Sequence, residues 1–421
     1  VDNKELIRRL RDDYPLFSRR CLTILDKAGK QQRFVLNRAQ QYVHDRIEQQ
    51  KKELGRVRAL ILKGRQQGIS TYIGGRFYHN VSMHFGQGAF IVAHEQKATD
   101  NLFNMVKRYQ SNNPLSPSTS KTNAKELVFD LLDGGYKLAT AGSKDVGRSN
   151  TAQLMHGSEF AFWSNAEKHL AGIGNTIGDI DDSEIILEST ANGINNKFHA
   201  LWQDAEMGVS DYIAIFVPWY WQDEYRLTPK PGFALEGKDL EYQEAYGLDI
   251  EQMAWRANKI ATYGTGFEWL FDQEYPAIPS LAFQSPTADP IISPSRIALA
   301  INSKYRDKQG PLIIGCDPAE FGDDRTAIVF RQGRLVSRIE TYEKQEPMEV
   351  AARLSRYWAE FRPDALFVDR IGIGAGIVSR LRELNVPVIG INSGETAQEP
   401  DLYYNQRAEM WYRMQAWFND T

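Results

Sequence analysis

Short apolar runs alternate with helical stretches from about Phe34 to Val217. Arg58-Ala-Leu-Ile-Leu-Lys63 and Ala89-Phe-Ile-Val-Ala93 read as strands, the second followed by a helical stretch from Glu95 to Tyr109. Ala152-Gln-Leu-Met155 and Ser183-Glu-Ile-Ile-Leu-Glu188 repeat the pattern. Such alternation predicts a parallel α/β sheet. A helix is expected to start within Arg33 to Gln41, and Ser111 to Asn123 reads as an exposed loop. Between about Pro218 and Lys308 the alternation gives way to aromatic, Pro-punctuated sequence: Pro218-Trp-Tyr-Trp221, Pro229-Lys-Pro231, a helical stretch from Asp239 to Tyr263, and Phe271-Asp-Gln-Glu-Tyr-Pro276.

A second α/β pattern begins at Pro311. Strand Leu312 to Asp317 is followed by strands Thr326 to Arg331 and Arg334 to Tyr342, which the Arg331-Gln-Gly-Arg334 turn makes a hairpin. A helix from Pro347 to Phe361, strand Ala365 to Asp369, a helix near Gly376 to Leu384 and strand Val386 to Ile391 follow, with an amphipathic helix from Arg407 to Phe418. The expected organisation is a helical extension over 1–33, an α/β domain over 34–217, a linker subdomain over 218–308 and a second α/β domain over 309–421. Two or three cores are what a chain of 421 residues requires.

The formal charge is only −4, so no global basic field advertises a polyanionic partner and any such contacts are local. Cys21 and Cys316 lie far apart, and no Cys/His spacing suggests zinc, so both read as buried thiols of a reducing compartment. No apolar run reaches bilayer length, and no membrane role is expected. The start at Val1 without methionine suggests a piece of a longer protein.

The most informative stretch is Arg58-Ala-Leu-Ile-Leu-Lys-Gly-Arg-Gln-Gln-Gly-Ile-Ser-Thr71. An apolar strand runs into a Gly-bearing loop that ends in paired hydroxyls opening a helix, which is how proteins hold a triphosphate: backbone N–H groups face the anion and a hydroxyl reaches its Mg²⁺. Arg65, Gln66, Gln67, Gly68, Ile69, Ser70 and Thr71 are therefore candidate nucleotide-binding residues, with Ser70 as the Mg²⁺ ligand. The loop is deviant, because Ile69 stands where the common pattern puts lysine. Arg65 is the first candidate for the missing charge and Lys63 the second. Downstream, Ala152 to Met155 leads into His156-Gly-Ser-Glu159. A carboxylate at such a strand end can orient the water that attacks a γ-phosphate, and Glu159 takes that role. The position before it, normally an Asp in the Mg²⁺ shell, is Ser158. The polar turn Ser189-Thr-Ala-Asn-Gly193, at another strand's carboxyl end, reads either as a phosphate sensor or as a loop of good turn residues.

In the second unit Asp317 and Asp369 end apolar strands that a βββαβα order places side by side. Converging carboxylates bind Mg²⁺ or Mn²⁺, and two such ions can clamp a phosphodiester, the RNase H-like nuclease arrangement. Asp323 and Asp324 could add oxygens or could simply serve the turn.

An ASCE-type P-loop ATPase followed by an RNase H-like unit, joined by an aromatic subdomain, resembles the large terminase subunit of tailed bacteriophages. The likeness runs from about Phe34 onward. Gly64 to Thr71 resembles the family's variant phosphate loop, His156 to Glu159 its acidic strand end, and Ser189 to Gly193 its coupling motif. Gln40 falls at the adenine-reading glutamine, and Arg148 where some members place an arginine finger. Asp317 and Asp369 match the first two nuclease carboxylates. A third, expected on a helix well beyond Trp411, has no counterpart in these residues. What the resemblance implies is a DNA-packaging motor in which ATP hydrolysis moves double-stranded DNA and a metal-dependent endonuclease cuts concatemers. Its implied partners are the procapsid portal protein, the small terminase subunit and further copies of itself in a ring, expected to be a pentamer. Its implied place is the host cytoplasm, docked transiently on the portal. The alternatives are a helicase-like or remodelling ATPase with a non-catalytic RNase H-like unit, and a non-enzymatic docking module.

Overall fold

The computed structural model describes residues 2–123, 125–141, 152–194, 196–264, 267–284, 290–303, 309–319 and 324–419. The chain forms two compact units, Val1–Ala288 and Asp289–Thr421.

The first unit is built on five parallel strands: β1 (Val57–Lys63), β2 (Gly88–Ala93), β3 (Leu154–Ser158), β4 (Glu184–Ser189) and β5 (Ile213–Val217), in the order β5-β1-β4-β3-β2. This is the strand order of an ASCE-type ATPase, with β4 inserted between the loop strand β1 and the acidic strand β3. Every residue of β1, β3 and β4 is buried, as parallel strands covered by helices on both faces must be. The sheet is mixed, however, where the sequence predicts a parallel one. Beyond β2 it continues into the parallel strand Gly134–Thr140 and then the antiparallel strands Glu126–Phe129 and Lys121–Thr122. The reversal occurs at Asp133, whose left-handed backbone (φ 46°) closes a hairpin; Lys121–Thr122 falls inside the stretch expected to be all loop.

The helix expected to start within Arg33 to Gln41 begins at Arg38 and runs to Leu54. Residues Gln31–Arg33 instead pair with Thr23–Leu25 in a two-stranded ribbon. The boundary is set by a capping box, in which the Asn37 side chain takes the Gln40 N–H while the Gln40 side chain takes that of Asn37. Before the ribbon, helices Asn3–Asp12 and Tyr14–Cys21 insert Tyr14, Phe17 and Leu22 into the main core.

Helix Ile69–Met83 is fixed to the sheet by a buried ion-pair network. Arg76 makes two contacts to Glu184, at the start of β4, at 2.8 and 2.9 Å, and a third to Glu48 at 2.5 Å. Burial alone would raise the Glu184 carboxyl, but the Arg76 and Lys51 charges hold it below its usual value.

The aromatic stretch after β5 packs into its own core within this unit, around Trp219, Tyr225, Trp255, Phe271 and Tyr275. Tyr225 and Trp255 stack at 4.3 Å between centroids. Where one helical stretch is expected from Asp239 to Tyr263, there are two helices, Lys238–Tyr246 and Ile250–Tyr263. Gly247 breaks them with φ 62°, and Asp249 caps the second.

In the second unit, β6 (Leu312–Asp317), β7 (Arg325–Gln332), β8 (Leu335–Glu343), β9 (Ala365–Asp369) and β10 (Ile389–Ile391) form a sheet in the order β8-β7-β6-β9-β10. The hairpin β7–β8 is antiparallel, and β9 and β10 lie parallel to β6. This is the RNase H-like order that the sequence predicts. Helices Pro347–Phe361 and Gly374–Glu383 bury Val350, Leu354, Ile377 and Leu381 against Ile314, Phe330 and Val368.

Glu184→Ala leaves the Arg76 guanidinium buried beside only the partly exposed Glu48, and should cost about 3–5 kcal/mol in urea unfolding at pH 7. Because Glu184 titrates low in the folded state, its stabilisation is present above the ordinary carboxylate range and is lost as pH falls through the folded value. The gap between wild type and variant should therefore narrow on acidification. A loss below about 1 kcal/mol at pH 7 would show that the network does not hold the helix to the sheet.

Candidate active sites

The carboxyl ends of β1, β4 and β3 converge on one buried ammonium. Lys63, the last residue of β1, lies 3.1 Å from Glu159 Oε1 and 3.1 Å from Glu188 Oε2. Burial would lower the lysine's proton affinity, yet the two carboxylates raise it above the ordinary value, so Lys63 is charged. Glu188 is fully buried at the end of β4. Burial pushes its carboxyl up, but Lys63 and His156 outweigh that and hold it well below the usual range. Glu188 Oε1 accepts from the Ser70 hydroxyl at 2.8 Å and lies 3.3 Å from His156 Nε2. Lys63, Ser70, Glu159 and Glu188 thus form one connected cluster where ligands of open α/β sheets bind.

Above the cluster lies the loop. Gly68 adopts φ 76° and immediately precedes helix Ile69–Met83. The positive φ favours glycine, and a Cβ there would sit 2.6 Å from Gln40 Nε2, so any larger residue would have to displace the Gln40 side chain. Among the described residues no hydrogen bond is made by the backbone N–H groups of Gln66, Gly68, Ile69, Ser70 and Thr71, and the last of these open a helix, while Gln67 closes a tight turn over residues 65–66. Unsatisfied amides at a helix N-terminus make an anion-binding cradle.

Individual candidates differ in what they touch. Arg65 does not join the cluster: its guanidinium pairs with Glu274, with Nη2 at 3.1 Å from Oε1, and its backbone N–H donates to the Glu274 carbonyl at 3.0 Å. The cation beside the acidic strand end is Lys63, the second candidate from sequence. Gln67 is buried; its side chain takes the Gly64 N–H at 2.8 Å and donates to the Pro218 carbonyl at 2.7 Å. Ile69 is buried in the main core. The Thr71 carbonyl accepts from Tyr109 Oη at 3.1 Å. Both polar atoms of Gln40 are engaged, Oε1 in the helix cap and Nε2 donating to the Gly68 carbonyl at 2.7 Å, so here it braces the loop.

Glu159 follows β3 with φ 52°, a left-handed conformation that is rare outside glycine and common at functional sites. Its Oε2 lies 3.3 Å from the Thr190 N–H and 3.5 Å from Ser189 Oγ. The acidic strand end and the Ser189–Gly193 turn are therefore in direct contact, and Asn192 strengthens the join by donating to the Ala161 carbonyl at 3.2 Å. Arg148 lies outside the described residues.

Glu188, His156 and Glu274 have no assigned role in the sequence reading. A glutamate directly after the apolar run Ile185-Ile-Leu187 is the signal for Glu188, because a carboxylate buried there needs a cationic partner. Glu274 is remote from the loop in sequence, and only packing of the aromatic core brings it there.

In the second unit β6 and β9 pair in parallel with Cys316 opposite Val368, so the next residues, Asp317 and Asp369, are the last residues of adjacent strands. Burial raises the Asp317 carboxyl, and the charges of Asp369 and Asp324 raise it further. Asp369 Oδ1 accepts the Ile371 N–H at 2.9 Å. Among the described residues no set of three or more His, Cys, Asp or Glu side chains is grouped as a metal site; Asp323 lies outside them. Cys316 is a buried free thiol pushed up to about 12, chiefly by burial, and Cys21 is likewise buried and free.

A carboxyl raised in the folded state stabilises the fold below its unfolded value and loses that contribution as pH rises through the folded one. Asp317→Asn should therefore raise the melting temperature of the metal-free protein at pH 7 and leave it unchanged at pH 3. In wild type, Mn²⁺ should raise the melting temperature at pH 7 and less at pH 4.5, and this shift should vanish in the variant. An equal Mn²⁺ shift in the two proteins would contradict a metal site at Asp317.

No family model and no curated protein matches the chain. Solved structures similar to it include the HK97 bacteriophage large terminase, at 15% identity and a TM-score of 0.48, covering 97% of this chain and 88% of that one. The ATPase domain of the Thermus phage P74-26 large terminase matches at 15% identity and a TM-score of 0.40, over 58% of this chain and 94% of that one. The nuclease domain of the large terminase subunit gp2 of bacterial virus Sf6, a K428A mutant with manganese and beta-thujaplicinol, matches at 20% identity and a TM-score of 0.27, over 31% of this chain and 66% of that one. All three are large terminases of bacterial viruses or domains of one, the family that the sequence motifs resemble.

Proposed function

We propose that the protein is an ATP-hydrolysing motor that moves double-stranded DNA, with a divalent-metal endonuclease in its second unit. The observation that carries this reading is the cluster of Lys63, Ser70, Glu159 and Glu188 beside the unsatisfied loop amides. The loop amides and Lys63 would receive the phosphates. Glu159, held by Lys63 and the Thr190 N–H, would orient the attacking water and take up its proton. Ser70, a hydroxyl on the first turn of the helix, suits the Mg²⁺ of the nucleotide, whose chemistry is to neutralise charge on the phosphates. Contact between Glu159 and the Ser189–Gly193 turn gives hydrolysis a route to the rest of the sheet.

In the second unit, adjacent hard oxygen donors at Asp317 and Asp369, with Asp324 near, suit Mg²⁺ or Mn²⁺. Such ions activate water and stabilise the leaving oxygen at a phosphodiester. Burial together with the neighbouring charges of Asp369 and Asp324 raises Asp317, as expected of carboxylates gathered where a cation would sit. A packaging role, with a ring of copies including an arginine finger at Arg148, a procapsid portal and a small terminase subunit as partners, and action in the host cytoplasm, belongs to the same proposal. It is supported by the order of the two sites along the chain.

Two independent losses test it. Glu159→Gln should lower ATP hydrolysis by about 100-fold or more while leaving Mn²⁺-dependent nicking of supercoiled plasmid intact. Asp317→Asn should do the reverse. Hydrolysis that survives Glu159→Gln would overturn the ATPase assignment, and nicking that survives Asp317→Asn would leave a translocating ATPase with a non-catalytic second unit.

A further inference from the structure

The acidic strand β3 lacks the carboxylate that ordinarily stands before its catalytic glutamate, because Ser158 occupies that position. In the sheet, Ser158 is paired directly with Glu188 on β4. Neighbouring strands lie about 4.8 Å apart, and glutamate is one methylene longer than aspartate. A Glu on β4 can therefore direct its carboxylate toward the space that an Asp on β3 would serve.

We propose that Glu188 supplies the carboxylate that holds the divalent cation of the nucleotide site, directly or through the cation's water shell, in place of the residue that β3 lacks at Ser158. The inference rests on the nucleotide-binding reading above.

Three observations support it. Ser70, the hydroxyl suited to the cation, already donates to Glu188 Oε1 at 2.8 Å, so the two oxygen donors are neighbours. Lys63 faces two carboxylates, the buried one of Glu188 and the partly exposed one of Glu159, with His156 on the far side of Glu188, so acidic oxygens gather at these strand ends. Finally, Thr190 Oγ1 on the adjoining turn is a buried polar atom with no hydrogen-bond partner, and Glu188 Oε2 has only the Lys63 ammonium, at 3.1 Å. Buried atoms of this kind mark a place where a ligand or ordered water completes the site.

The test measures affinity for a non-hydrolysable ATP analogue with Mg²⁺ and with EDTA, in wild type, Glu188→Gln and the double variant Ser158→Asp/Glu188→Gln. In wild type, Mg²⁺ should tighten binding by about 10-fold or more, and in Glu188→Gln by less than about 2-fold. Affinity in EDTA should not fall in Glu188→Gln, because removing a negative charge cannot weaken attraction for an anion. The double variant, which returns a carboxylate to β3, should regain most of the Mg²⁺ effect, and it carries the test should the single variant fail to fold. A full Mg²⁺ effect in Glu188→Gln, an equal loss in EDTA, or no recovery in the double variant would overturn the proposal while leaving the nucleotide site standing. A wild-type protein that binds no nucleotide under either condition would overturn both.

Discussion

One buried lysine organises the first unit. The Lys63 ammonium is out of water and can stay charged only because Glu159 and Glu188 surround it, and each carboxylate belongs to a different part of the sheet. A buried charge without partners costs several kcal/mol, so the ends of β1, β3 and β4 must remain in register for the fold to persist. The same requirement keeps Glu159 in its left-handed conformation and Ser70 against Glu188. Stability and candidate chemistry therefore draw on the same contacts. Ile69, where the common loop pattern has lysine, serves the core instead.

The aromatic core after β5 supports the loop from its other side. Glu274 engages both the guanidinium and the backbone N–H of Arg65, Tyr225 Oη donates to the Arg65 carbonyl at 2.5 Å, and Gln67 reaches the Pro218 carbonyl. Gln40 braces the far end of the same loop at Gly68. Residues 65, 67 and 68 are thus tied to other parts of the first unit, while the amides of 66 and of 68 to 71 remain unsatisfied. A fixed frame with open donors is what preorganised anion binding requires, because ordering costs are met on folding rather than at binding.

Much of this was legible in the sequence, and what was not has identifiable causes. Apolar periodicity marked the core strands and their helices, since fully buried parallel strands leave an unambiguous apolar run. The positions of Ser70, Glu159, Asp317 and Asp369 followed from where those runs end. Periodicity could not order the cations, because the partner that removes Arg65 from the cluster is Glu274, 209 residues away. Nor could it show that Gln40 and Gln67 use their amides within the protein. The helix broken at Gly247 and the hairpin turned at Asp133 were missed for another reason: single left-handed residues decide both, and their effect is local rather than periodic.

The claim at the centre is that the 66–71 amides, framed by Lys63 and Glu159, receive the phosphates of a nucleotide. Hydrogen–deuterium exchange on peptides spanning residues 64 to 71, with and without Mg²⁺ and a non-hydrolysable ATP analogue, tests it most directly. Slower exchange in that segment when the nucleotide is present is the expected result. Unchanged exchange there under nucleotide concentrations that saturate binding would contradict it.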